Sequence, residues 1–221
     1  MTFWVLAGIG LFCAVLALLF DETLPAGERY EGTVLGSVKQ LGVVARNKGF
    51  SAFLGIVGLY NLPFMAYIAV GSYVYITFFG LSELEYSMYF AFAALLTAAG
   101  PFIWLMASRF VSARRFTSIL LGVAIASGVA MLAVGEASPA LFCLTFLAFA
   151  LTEAAVRPYS TNILLSQQDG DTGAAASLIN FAHTAIGCVG MLVAGLPWPN
   201  FVVGVGVIIV ASMAVGLIGW G

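Results

Sequence analysis

Residues 201–220 read FVVGVGVIIVASMAVGLIGW, a stretch with no charge, no side-chain amide and no histidine. A helix of that length rises about 30 Å, the thickness of a bilayer's hydrocarbon core. Working back along the chain, six further apolar segments are of comparable length: roughly 2–20, 51–78, 86–107, 117–134, 139–165 and 173–195. The runs are continuous rather than alternating, so helices rather than barrel strands satisfy the backbone inside lipid. The predicted fold class is an all-α integral membrane protein with about seven transmembrane helices. Segment 139–165 is the least regular, since its second half holds Glu153, Arg157, Pro158, Ser160, Thr161 and Asn162.

Composition agrees. Of 221 residues, 62% are hydrophobic and 8% charged, against about 25% charged in a typical soluble domain. Such a chain cannot cover a water-facing surface. It is too apolar for disorder, and it has no basic field for nucleic acid. Cys13, Cys143 and Cys188 each lie in an apolar run, at spacings that fit neither a zinc site nor a disulfide framework. They are expected as small buried hydrophobes. No nucleophile–base pair, phosphate-binding glycine loop or metal-ligand cluster occurs, so neither enzyme chemistry nor a cofactor or metal is expected. The first segment has no basic region before it and ends in Phe20-Asp21-Glu22 rather than small residues. It therefore reads as a membrane span and not a cleaved leader.

The loops divide by charge. Loops 21–50, 108–116 and 166–172 carry Arg29, Lys39, Arg46, Lys48, Arg109, Arg114 and Arg115; loops 79–85, 135–138 and 196–200 carry only Glu83, Glu85 and Glu136. By the positive-inside rule the first set is cytoplasmic, which puts the N-terminus outside and the C-terminus inside. An outside start, with Trp220-Gly221 closing an apolar span, is the pattern expected of a piece of a longer protein. Within the long linker, Val34, Leu35, Val38, Leu41 and Ala45 follow helical spacing, which predicts a short interfacial helix inside 26–49.

Ionisable groups inside spans are functional candidates by default. Glu153 and Arg157 stand four apart, acid before base, on one helix face. They read either as a structural ion pair with Arg157 reaching toward lipid phosphate, or as a site where Glu153 exchanges a proton or meets a cationic substrate. Pro158 frees the carbonyl of Ala154 and bends the helix, a hinge beside the pair. His183 is the lone histidine, with Asn180 and Thr184 on a shared polar face. It reads either as an interhelical hydrogen-bonding group or as a titrating one. In 51–78, Tyr60, Phe64, Tyr67, Gly71 and Tyr75 fall on one face, and Asn61 and Pro63 interrupt the helix near its middle. This face either packs or lines a cavity, because broken helices often flank midplane binding sites; Tyr73 and Tyr75 alternatively join an outer aromatic belt. Gly122, Ala126 and Ala130, together with Gly187, Gly190, Ala194 and Gly195, mark expected close helix contacts, as do the glycines from Gly204 to Gly219. The last span holds no lysine for a retinal Schiff base.

Several short motifs, in order, resemble the C-terminal portion of a major facilitator superfamily transporter of the Bcr/CflA drug:proton antiporter type. Phe20-Asp21-Glu22-Thr23-Leu24-Pro25 is similar to the end of that group's sixth helix, and Ala45-Arg46-Asn47-Lys48-Gly49-Phe50 to the basic approach to its seventh. Ala66-Tyr67-Ile68, Val74-Tyr75 and Phe79-Gly80-Leu81-Ser82 resemble the seventh helix and its outer loop. Ser108-Arg109-Phe110 with Ala113-Arg114-Arg115 resembles the loop between helices eight and nine, and Gly173-Ala174-Ala175-Ala176-Ser177-Leu178 with Phe181 and Gly187 resembles the start of helix eleven.

The resemblance implies that 1–20 is a sixth-helix equivalent, 21–50 a cytoplasmic linker and 51–221 the six-helix C-terminal bundle of a twelve-helix protein in the inner membrane. It implies proton-coupled efflux of small amphipathic compounds or drugs by alternating access. The expected partners are a small-molecule substrate, protons, the lipid bilayer and a missing N-terminal half. Asn61, Phe64, Tyr67 and Asn180 are then candidates for the substrate cavity, Glu153 and His183 for proton coupling, and Arg157 and Pro158 for the ion pair and hinge. The alternative from another class is a membrane-embedded interaction or regulatory half-subunit, or a nonfunctional remnant.

Overall fold

The computed structural model describes residues 2–19, 34–167 and 172–221. The chain forms two compact units, Met1–Ser37 and Val38–Gly221. The first holds α1 (Thr2–Leu18), 17 residues long and apolar after Thr2. The predicted end of this span at Phe20 lies outside the described residues, as do the motif 20–25 and the linker as far as residue 33. Helix α2 (Val34–Ala45) supplies the short helix expected inside 26–49. Its C-terminal part belongs to the second unit, where Val44 is buried in the core and Leu41 packs against it.

In the second unit six helical stretches are long and apolar enough to cross a membrane. The first, Lys48–Phe78, consists of α3 (Lys48–Gly58), α4 (Asn61–Ser72) and a π-helical turn, Tyr73–Phe78. The second, Glu83–Ala107, consists of α5 (Glu83–Thr97) and α6 (Gly100–Ala107). The others are α7 (Ala113–Val134), α8 (Pro139–Ser166), α9 (Thr172–Ala194) and α10 (Phe201–Trp220). The described residues include no strand. The protein is an all-helical, multi-pass membrane protein.

Polar side chains cap the starts of several helices, and α3 and α5 begin a few residues before their apolar runs. Asn47 accepts from the Phe50 amide, Ser138 from Leu141 and Asn200 from Val203. Ser82 and Glu85 form a reciprocal capping box at the start of α5.

Prolines explain the two broken spans. Pro63 has no N–H to give the Leu59 carbonyl, which takes the Leu62 amide instead, so the ladder lapses at Leu59–Tyr60. The break therefore falls one turn before Pro63, and Pro63 itself sits harmlessly in the first turn of α4. Pro101 likewise cannot donate to Thr97, and the second span breaks at Ala98–Ala99. Pro158 leaves α8 continuous, but the Ser160 and Thr161 hydroxyls both donate to the Arg157 carbonyl at 3.1 and 2.8 Å. Such back-bonding bends a helix.

The packing has an internal order. Counting spans one to six, the five most extensive contacts are one on five, two on four, three on six, three on four and one on six. Exchanging the first three spans for the last three leaves this pattern unchanged. Each triple holds an odd number of crossings, so the second starts from the opposite side of the membrane, an inverted repeat.

Small residues make the closest approaches. A Cβ on Gly190 would overlap the Leu62 backbone, and one on Gly187 would come within 2.8 Å of Met65 Cγ, so α9 lies tight against α4. One on Gly128 would stand 2.8 Å from Ile209 and Val210 of α10. The expected contact through Gly122 is not made: that position has open space, and Ala126 is exposed. The face of α7 that packs carries Leu121, Ala124, Gly128 and Met131 instead.

Candidate functional site

The aromatic face predicted on the first span meets a matching face on α8. Tyr60 stacks on Phe149 with ring centroids 6.1 Å apart, Phe64 lies 6.2 Å from Phe146, and Tyr67 stacks on Phe146 at 3.5 Å and 5°. Tyr75 lies 5.4 Å from Phe142. The Tyr67 and Tyr75 hydroxyls satisfy each other at 3.1 Å, as buried phenols must. Tyr75 is buried, whereas Tyr73 is exposed and stands edge-on to Phe201 at 4.9 Å. Only Tyr73 has the exposure of a belt residue.

Phe64 and Tyr67 border a cavity of about 230 Å³ with Phe90, Ala93, Thr97 and Phe146, between α4, α5 and α8. Its wall is almost wholly apolar. Thr97 also borders a second, wider cleft of about 490 Å³ between the broken second span and α8, lined by Pro101, Glu153, Arg157, Pro158 and Thr161. The two spaces thus adjoin at Thr97, one aromatic and one charged. Gly100 lets α6 close against α8 here, since a Cβ on it would meet Ala154.

Glu153 and Arg157 are brought together as their spacing predicts. Arg157 Nη1 lies 3.6 Å from Glu153 Oε1, with the carboxylate side chain 6% exposed and the guanidinium side chain 49% exposed. At that separation the two attract without a hydrogen bond. One charge is thus buried and the other exposed, an asymmetry that the four-residue spacing alone does not disclose. Pro158 borders the same cleft, and its missing N–H leaves the Ala154 carbonyl without its helical donor.

Asn61 and His183 meet elsewhere. The Asn61 amide donates to the His183 backbone carbonyl at 2.6 Å, joining α4 to α9. Asn61 therefore braces two helices and does not line the aromatic cavity. The His183 ring is 5% exposed, and Arg157 lies within electrostatic reach of it. Three buried polar atoms here have no hydrogen-bond partner: Tyr60 Oη, Asn61 Oδ1 and His183 Nδ1. Asn180 and Thr184 do not share the face of His183. Both are exposed, and the Thr184 hydroxyl returns to the Asn180 carbonyl at 2.8 Å. The reason is geometric: 180 and 184 lie one turn apart, and 183 is rotated from both toward α4.

Thr97, Phe90, Phe146 and Pro101 complete the site and were not among the sequence candidates. The Gly100-Pro101 pair was a usable signal of a break beside the site. Phe142, Phe146 and Phe149 had a helical spacing too, but a helix apolar on every side hides which stripe faces inward.

Among the described residues no cluster suited to a metal ion occurs.

No family model matches the chain. The chain is similar to an uncharacterized MFS-type transporter, YdgK, of Bacillus subtilis (strain 168), with 31% identity over 102 residues, 46% of this chain. The match covers 25% of that relative, so the chain corresponds to about a quarter of its length.

Proposed function

We propose that this chain is part of a major facilitator transporter, of the Bcr/CflA type its motifs resemble, that exports small amphipathic compounds in exchange for protons. The observation that carries the reading is the junction at Thr97: an aromatic cavity bordered by Phe64 and Tyr67 opens beside a buried carboxylate, Glu153. A carboxylate at that depth is costly unless it is paired or neutral. It can hold a proton in one conformation and release it in another as the distance to Arg157 changes. Phe64 and Tyr67 hold the apolar body of the substrate. Breaks before Pro63 and Pro101, with the bend at Pro158, give three spans around the cavity a place to flex. The membrane is the bacterial inner membrane, with the basic loops cytoplasmic. His183, buried and with one ring nitrogen unpartnered, is a second proton-carrying candidate.

The test uses the complete transporter in inverted membrane vesicles. Glu153→Gln should lower pH-driven dye movement at least tenfold while membrane insertion and thermal stability stay as in the parent. Glu153→Asp should restore part of the rate. Undiminished pH-driven movement in Glu153→Gln rejects the role of this carboxylate.

A further inference from the structure

The two adjoining spaces differ in polarity, and the charge that faces the charged one can be read from exposure. Glu153 is almost fully covered, whereas the Arg157 side chain is half exposed and borders the cleft. Their separation of 3.6 Å leaves the guanidinium N–H groups without a hydrogen bond to Glu153, and no other described side chain or carbonyl accepts from them. The neighbouring hydroxyls turn to backbone, Thr97 donating to the Ala93 carbonyl at 2.7 Å and Thr161 to the Arg157 carbonyl at 2.8 Å, and neither accepts from Arg157. Arg157 therefore presents up to five free donors and a positive charge in the cleft that shares Thr97 with the aromatic pocket. The pocket, about 230 Å³, is smaller than the roughly 300–1,000 Å³ of drug-sized sites, and suits a body of one or two rings.

We infer that the site selects amphipathic organic anions: a small aromatic body lies between Phe64, Tyr67, Phe90 and Phe146, and a carboxylate-like group pairs with Arg157. The inference rests on the transport reading for its biological meaning, and names that site's substrate class. A planar, forked guanidinium matches a carboxylate in two parallel hydrogen bonds, and low local polarity strengthens them. An ammonium entering the same cleft meets a half-exposed Arg157 side chain, while the Glu153 carboxylate, which also borders the cleft, is almost wholly covered. Like charges so placed repel.

The test is binding and needs no transport. The full chain, purified in a neutral maltoside detergent, is titrated calorimetrically with 2-naphthoate, 2-naphthylmethanol and 2-naphthylmethylammonium, with and without added phosphatidylglycerol. Naphthoate should bind at least tenfold more tightly than the ammonium compound, the alcohol falling between them, and the order should persist with the lipid present. Arg157→Gln should reduce naphthoate to the level of the alcohol. Glu153→Gln, a second variant that leaves Arg157 in place, should bind naphthoate more tightly than the parent.

Tighter binding of the ammonium compound, equal binding of all three, or binding of none overturns the inference. So does a preference that phosphatidylglycerol abolishes, since a lipid phosphate is then the anion at Arg157. The two readings fail separately. Anion-selective binding with undiminished pH-driven movement in Glu153→Gln rejects proton coupling alone, and ammonium-selective binding with loss of that movement rejects anion selection alone.

Discussion

A methyl group at position 190 has no room. Gly190 of α9 lies against the backbone of Leu62 in α4, and backbone cannot yield as a flexible side chain can. Gly190→Ala should cost about 1–3 kcal/mol, the usual range for overpacking, and lower the melting temperature in detergent by several degrees. Gly122→Ala is the paired control: a Cβ there meets nothing within 4 Å, so the melting temperature should hold or rise, as helix propensity favours alanine by up to about 1 kcal/mol. Equal losses in the two variants would contradict this assignment of faces. In the sequence both glycines belong to small-residue patterns of the same appearance. Spacing marks a face that is able to make contact. Which face does so depends on the neighbour's shape, and an all-apolar helix carries no polar stripe to say which way it turns. Polar residues were more legible singly than in pairs. Glu153 and Arg157 met as their spacing required, while Asn61 and His183 joined through a side chain and a backbone carbonyl, a pairing no spacing rule proposes.

Prolines organise the elements around the cavity. The ladder lapses about one turn before Pro63 and before Pro101, because in each case a carbonyl four residues back has lost its donor. The sequence marked the first break by Asn61 and Pro63 and placed it slightly late. The span limits themselves were legible to within a few residues, because hydrocarbon thickness sets the length of an apolar run, although α3 and α5, each capped by a polar side chain, begin before it. Pro158 differs in that α8 passes through it unbroken. Pro158→Ala restores the missing amide and its hydrogen bond to the Ala154 carbonyl, straightening α8 beside Glu153 and Arg157. It should leave the melting temperature equal or higher, and it should slow pH-driven substrate movement by the complete transporter several-fold. Rates equal to the parent would show that the bend at this position takes no part in the transport cycle.

At the scale of the whole bundle, charge and packing give independent accounts of which loops share an end. Glu136, in the turn between α7 and α8, accepts from Asn200, in the turn between α9 and α10, at 2.9 Å, so these two lysine- and arginine-free loops lie together. At the opposite end Trp220, closing α10, donates to Ser118 in the first turns of α7 at 3.2 Å, near Arg114 and Arg115 in sequence. Both contacts agree with the alternation drawn from loop charge. Which end meets the cytoplasm is a matter of how basic loops are held back during insertion. That is settled by labelling from each side. In a background with Cys13, Cys143 and Cys188 replaced by serine, Ala137→Cys should react with a membrane-impermeant maleimide in intact cells and Ser112→Cys should not. Both positions are exposed, so reagent access decides the outcome. Inverted vesicles should reverse the pattern. Ser112→Cys reacting in intact cells would turn the bundle over, placing Arg157 nearer the outer surface and making the cleft beside it open to substrates arriving from outside.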